Sequence, residues 1–87
     1  MKYLHNEFDM NSSDVLQITL DKDTNIKLLD PGNYQKYRVG RDYNCYSGII
    51  TQSPSYISAP HAGRWHLVID LSAYSSGMKA AVNLIRR

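Results

Sequence analysis

One run near the carboxyl end constrains the fold more than any other. From Gly63 to Leu71, large apolar residues occupy every second position, beginning with Trp65, and His66, Val68 and Asp70 lie between them. Such alternation is typical of a β-strand that buries one face. Because Trp65 is the chain's only tryptophan, we expect it to be the largest single piece of a small core.

Similar alternation recurs along the chain, with one exception. Further short strands are predicted at residues 3–10, 15–20, 26–29, 43–51, 55–59 and 78–87. Between the third and fourth of these runs, Asp30 can cap a helix, Pro31 suits its first position and Gly40 suits its end. We therefore predict an all-β fold with a minor helical part: a single-domain, jelly-roll-like β-sandwich over residues 1–87, with about seven short strands and one short helix near residues 31–39.

Length and cysteine usage limit the class of protein. A chain of 87 residues buries only about 60–65% of its unfolded surface, so oligomerisation would help to stabilise it. Cys45 is the only cysteine, which is typical of a reducing compartment. The first residues lack a secretory signal, and no apolar run approaches the roughly 20 residues of a membrane span. We expect a cytoplasmic protein with no membrane partner.

Charge is distributed unevenly. Residues 1–30 hold three cationic and six acidic side chains, whereas residues 31–87 hold seven cationic and two acidic ones. This asymmetry fits a small anionic ligand on the second half. It also fits opposite charges that attract each other, either between two faces of the sandwich or between the subunits of a homodimer. The net charge of +2 is too small to argue for nucleic acid, which we do not expect as a partner.

The candidate ligand site combines basic and aromatic residues. They interleave over residues 34–46, and the turn and strand at 61–66 add two histidines and an arginine. Arginine presents a planar fork to anions and tyrosine can stack on a base or sugar. The other interpretation is a helix whose tyrosines pack on the sandwich while its cations stay in water. The predicted ligand-binding residues are Tyr37, Arg38, Arg41, Tyr43, Tyr46, His61, Arg64 and His66.

No catalytic residue, metal site or cofactor is predicted. His61 and His66 are five residues apart, which is neither the spacing of a helical ligand pair nor that of one strand face. The sequence also lacks a glycine-rich phosphate loop and a nucleophile-elbow motif.

A family resemblance covers nearly the whole chain. The segments that carry it are Met1–His5, Phe8–Asp9, Asp14–Val15, Thr19–Asp21, Tyr43, Gly48, Ser53–Pro54, Pro60–His61, Gly63, Trp65–His66 and Val68–Leu71. They resemble a small bacterial family of unknown function whose members are mostly stand-alone domains, sometimes appended to TIR domains. The resemblance implies a compact all-β domain in a bacterial cytoplasm and brings no catalytic residues. More loosely, Ser13–Val15 and Gly63–Trp65 resemble two points of jelly-roll binding modules.

Three function classes follow. The first is a non-catalytic binding or sensing module for a small anionic or sugar-type ligand or a protein partner, which the occasional attachment to TIR domains fits by analogy. The alternative is a structural homo-oligomerisation domain. The third is a small hydrolase or metal enzyme that uses His61, His66 and Asp70.

Overall fold

The structure is a computed structural model that describes residues 3–50, 54–72 and 78–86. The described residues form seven strands and one helix. In chain order these are β1 (Tyr3–Met10), β2 (Val15–Leu20), β3 (Thr24–Leu29), α1 (Pro31–Arg38), β4 (Tyr46–Ile50), β5 (Ser55–Ser58), β6 (Gly63–Asp70) and β7 (Ala80–Ile85). Across these residues, no helix is long and apolar enough to cross a membrane.

The strands form two antiparallel sheets. One has the order β1-β6-β3-β4 and the other the order β5-β2-β7. The pairs β1–β6, β2–β5 and β3–β4 are nested, as if one long hairpin had been wrapped into a sandwich, and this nesting is the pattern of a jelly roll. β7 adds to the remaining edge of β2. The predicted all-β, jelly-roll-like sandwich with one short helix is therefore confirmed.

The main core lies between the two sheets and contains the predicted face of β6. Trp65, Leu67 and Ile69 are almost completely buried there, packed with Leu16 and Ile18 of β2. The indole nitrogen of Trp65 donates a hydrogen bond of 3.0 Å to the carbonyl oxygen of His61. This bond satisfies the one polar atom of the indole and ties the turn before β6 to the core.

The turn between β1 and β2 is built around a buried carboxylate. Asp14 accepts a hydrogen bond from the backbone nitrogen of Asn11 at 2.9 Å and lies 3.1 Å from the guanidinium of Arg86. Aspartate favours such turns because its side chain can bond nearby backbone. The same side chain thereby joins the first turn to the end of β7.

The helix covers part of the outer face of the first sheet. Its start is capped by Asp30, which accepts from the backbone of Asn33 at 2.8 Å, and Gly40 beyond its end has a φ of 77°. Tyr34 and Tyr37 point at the sheet and are buried against Leu29 and Val68, as the three-residue spacing predicts.

The strand predicted to start at Tyr43 starts at Tyr46 instead. The intervening residues are tied to the helix: the backbone nitrogen of Asn44 donates to the side-chain oxygen of Asn33 at 2.9 Å, and the ring of Tyr43 packs edge-on against Tyr37. Residues 41–45 have no regular secondary structure, so strand propensity alone does not decide their conformation.

Candidate functional site

Strand β6 runs through the middle of the first sheet and brings the two predicted regions together at two places. On its inner face, Trp65 touches both Tyr46 and His61. On its outer face, His66 stacks against Tyr34. Residues 34–46 and 61–66 therefore meet on both faces of one strand.

The inner meeting point borders a pocket of about 150 Å³ where β3 joins the helix. One part of its wall is aromatic. The ring of Tyr46 lies 5.9 Å from that of Trp65, edge-on, and Tyr46 is 58% exposed. The ring of His61, which is not among the residues that line the pocket, packs on the same indole at 4.9 Å. Trp65 is thus flanked by two rings that solvent can reach.

The other part of the pocket wall is polar. It is formed by Asp30, Asn33 and Asn44, with Cys45 beside them. Asp30 accepts from both the backbone and the side chain of Asn33, whose side-chain oxygen accepts from the Asn44 backbone. These bonds hold the side chains of Asp30 and Asn33 in place before any ligand arrives.

The outer face of β1 and β6 carries a second constellation. The strand register places Glu7 directly opposite His66 and His5 opposite Val68, so His5 is the diagonal neighbour of His66. His5 Nε2 and His66 Nδ1 are 2.7 Å apart, and one of them carries the proton between them. The planes of the two rings differ by only 6°, and their centroids are 5.0 Å apart although two of their nitrogens are within 2.7 Å. The imidazoles therefore meet edge to edge.

Tyr34 lies flat over this imidazole pair. Its ring centroid is 4.1 Å from that of His5 and 4.4 Å from that of His66, and all three rings are nearly parallel. The Tyr34 hydroxyl is 3.4 Å from that of Tyr3. Burial, followed by the contact with Tyr3, raises the pKa of Tyr34 to about 12, so the helix covers the histidines with a neutral phenol.

Charged residues border the outer constellation on its open side. Arg64 contacts Glu7 Oε2 at 2.6 Å and Asp9 at 3.2 Å, while Glu7 Oε1 lies 3.8 Å from His66 Nδ1. The hydrogen bond from Arg64 lowers the pKa of Glu7. Burial lowers the pKa of His66. At neutral pH the cluster therefore holds an ionised carboxylate beside a neutral, buried imidazole.

Comparison with known proteins identifies the family. Residues 1–87 match the model of a family described as a domain of unknown function, DUF1883. The chain belongs to this family. Neither a search of curated proteins nor one of solved structures finds a match. The predicted membership of a small family of unknown function is confirmed, and the bacterial origin and TIR attachment stay predictions.

The basic and aromatic residues predicted from the helix region of this DUF1883 chain have different surroundings. Tyr37 is buried and packs edge-on against Tyr3 and Tyr43, so it belongs to the outer layer of the core. Burial also raises its pKa. Arg38 and Arg41 are exposed, and neither lines the pocket. Among these predicted residues, Tyr46 is the one at the pocket.

The three residues of the predicted hydrolase do not come together. His61 packs against Trp65 on the inner side, whereas His66 lies on the outer face of the DUF1883 sheet. Asp70 accepts hydrogen bonds from the backbone and hydroxyl of Ser72. His66 is instead joined by two residues that sequence reasoning missed, His5 and Glu7. Both lie at alternate positions of the strand predicted at residues 3–10, and that alternation was the available signal.

Proposed function

We propose that this DUF1883 chain is a non-catalytic binding module that takes a small sugar-type ligand in the pocket beside Trp65. The observation that carries the proposal is the composition of the pocket wall, which faces aromatic rings with amide and carboxylate groups. Small-ligand sites typically combine an apolar or aromatic lining with a few fixed polar groups.

A sugar ring matches both parts of this wall. Its C–H face can pack against Tyr46, whose ring is exposed and held edge-on by Trp65. Its hydroxyls can donate to Asp30 and exchange hydrogen bonds with the amides of Asn33 and Asn44. A volume of about 150 Å³ suits one small ring and not a drug-sized ligand.

The charges near the pocket favour a neutral ligand over an anionic one. The carboxylate of Asp30 lines the wall and would repel a phosphate. The Arg64 guanidinium, which the sequence suggested for anion binding, is paired with Glu7 and Asp9. Of the two ligand chemistries expected from the sequence, the sugar-type ligand is therefore the better supported.

The test is a fluorescence titration with glucose, galactose and N-acetylglucosamine. Trp65 is the only tryptophan, so its emission reports on the pocket. We expect a saturable change in emission with at least one sugar. The affinity for that sugar should weaken on the order of tenfold, or about 1.4 kcal/mol, in Tyr46→Ala. Tyr56→Ala is the matched control because Tyr56 is 56% exposed and lies on β5 of the other sheet.

Two results would overturn this proposal. One is a fluorescence response that stays linear, without saturation, for all three sugars up to about 50 times a Kd of about 1 mM. Such a Kd corresponds to a weak binding free energy of about −4 kcal/mol. The other is an equal loss of binding in Tyr46→Ala and Tyr56→Ala. Sedimentation of the same samples tests the alternative of a homo-oligomerisation domain, which rests on the short chain length and the uneven charge distribution.

A further inference from the structure

We infer that His5, Glu7 and His66 bind one divalent first-row transition-metal ion, with zinc as the expected occupant. This site goes beyond the proposed function, because its three residues are not among those that line the sugar pocket. Either proposal can therefore fail without the other.

The donor atoms are already close together. The two imidazole nitrogens and a carboxylate oxygen lie within 4.8 Å of one another. Two histidines and one carboxylate are a known zinc donor set, with bond lengths of about 2.0–2.2 Å. Paired positions on adjacent strands supply all three residues, so a sheet and not a loop fixes their spacing.

The ring geometry also suits a metal. An imidazole nitrogen binds a cation along its lone pair, in the plane of the ring, and the two rings share a plane with their nitrogens facing each other. An ion would take the place of the proton now between His5 and His66. Tetrahedral zinc would require an N···N separation of about 3.3 Å instead of 2.7 Å. Because the two nitrogens now point at each other, the rings must also turn within their common plane until both lone pairs meet at the ion. His5 is only partly buried, so its side chain can make most of this movement.

The surroundings resemble the outer shell of a metal site. Arg64 holds Glu7 through Oε2, which directs Oε1 towards His66. Tyr34 covers both imidazole rings and fixes their plane. Outer-shell groups of this kind orient ligands and tune metal affinity. Because Glu7 is 42% exposed at its side chain, a fourth position would remain open to water.

The experiment is calorimetric titration of the untagged full chain with zinc chloride alone, followed by elemental analysis after dialysis. We expect one zinc per chain. Glu7→Gln and His5→Gln should each weaken zinc binding at least about tenfold. Loss of an outer-shell partner of a metal already costs about that much affinity, and loss of a direct ligand should cost no less. Both residues are partly exposed, so these variants should keep the circular dichroism spectrum of the native chain. Titration with cobalt should give the visible absorption of a tetrahedral N/O site in the native chain only.

Matched controls separate this site from casual binding. The chain has three histidines and one cysteine, so His61→Gln and Cys45→Ser remove the remaining imidazole and the thiol. Both should bind zinc as tightly as the native chain. The inference is wrong if zinc fails to bind stoichiometrically. It is also wrong if the Glu7→Gln and His5→Gln variants both fold and both keep full affinity for zinc, or if His61→Gln or Cys45→Ser abolishes binding.

Discussion

The two faces of β6 differ in what they bury, although they alternate along one strand. On the inner face, Trp65, Leu67 and Ile69 meet the apolar residues of the second sheet and are at most 2% exposed. On the outer face, His66 lies among a carboxylate, a second imidazole and a phenol. Arg64 on the same face is half exposed and paired with acids.

The difference follows from what covers each face. The second sheet covers the inner face, where a buried polar group without a hydrogen-bonding partner would cost free energy. The outer face is covered by one helix of eight residues, which buries His66 and Val68 but leaves Arg64 open to water. Polar groups at the border of such a cover need hydrogen-bonding partners. We therefore expect the inner face to determine stability and the outer face to hold most of the titratable groups of β6.

The largest effect should come from the inner face. Leu67→Ala removes a completely buried side chain and should lower the free energy of unfolding by about 2–5 kcal/mol, which corresponds to a fall in melting temperature of roughly 10 °C or more. Urea unfolding at pH 7 measures it. Leu4→Ala is the control, because Leu4 lies on the same side of the sheet but is 37% exposed, and it should cost less than about 1 kcal/mol. Equal losses in both variants would contradict the comparison.

A smaller effect is expected where the outer face of β6 ends. The hydroxyl of Ser72, and then its backbone nitrogen, bond Asp70 and lower the pKa of this carboxyl below its ordinary 3.8. The ionised form is thus favoured by folding, so its contribution to stability is present above about pH 4 and is lost as the pH falls through the pKa of the folded chain. Ser72→Ala should raise the pKa of Asp70 and make the acid loss of stability less steep.

Carbon-13 NMR of the Asp70 carboxyl and urea unfolding at pH 6 and pH 3 measure both quantities. The backbone nitrogen of Ser72 still donates to Asp70 in this variant, so the pKa should stay somewhat below its ordinary value. An Asp70 pKa that does not move in Ser72→Ala would show that the hydroxyl has no such role.

Local patterns were sufficient to predict most of the fold. Alternation identified the buried face of β6, and the Asp30 cap, Pro31 and Gly40 identified the helix. These signals act within a few residues, where side-chain direction follows directly from backbone geometry. The prediction failed at Tyr43–Cys45, where contacts with Asn33 and Tyr37 decide the conformation.

The candidate sites were less accessible from the sequence because they depend on strand pairing. Glu7 faces His66 across a separation of 59 positions that only the pairing of β1 with β6 closes. The prediction of no metal site rested on the spacing of His61 and His66, and spacing along the chain carries no information about His5. Tyr46 could be selected as a ligand residue from its type, but its place beside Trp65 follows from the pairing of β3 with both β4 and β6.

The smallest effect on stability, and the sharpest test of the comparison, should come from Arg64→Ala. The Arg64 pairs with Glu7 and Asp9 are exposed, and exposed ion pairs add little to the free energy of unfolding because water screens them. The urea midpoint at neutral pH should therefore stay unchanged. The pKa of Glu7 should nevertheless rise, since the hydrogen bond from Arg64 is the main cause of its lowering. Arg41→Ala, which removes another exposed guanidinium, should leave the pKa of Glu7 where it is.

A midpoint that fell as far as that of Leu67→Ala would mean that the outer face supports the fold as strongly as the inner one. A Glu7 pKa that stayed low would mean that Arg64 does not organise the acid. The expected pair of results, an unmoved midpoint with a shifted pKa, would separate the groups that arrange charge on β6 from those that hold the sandwich together.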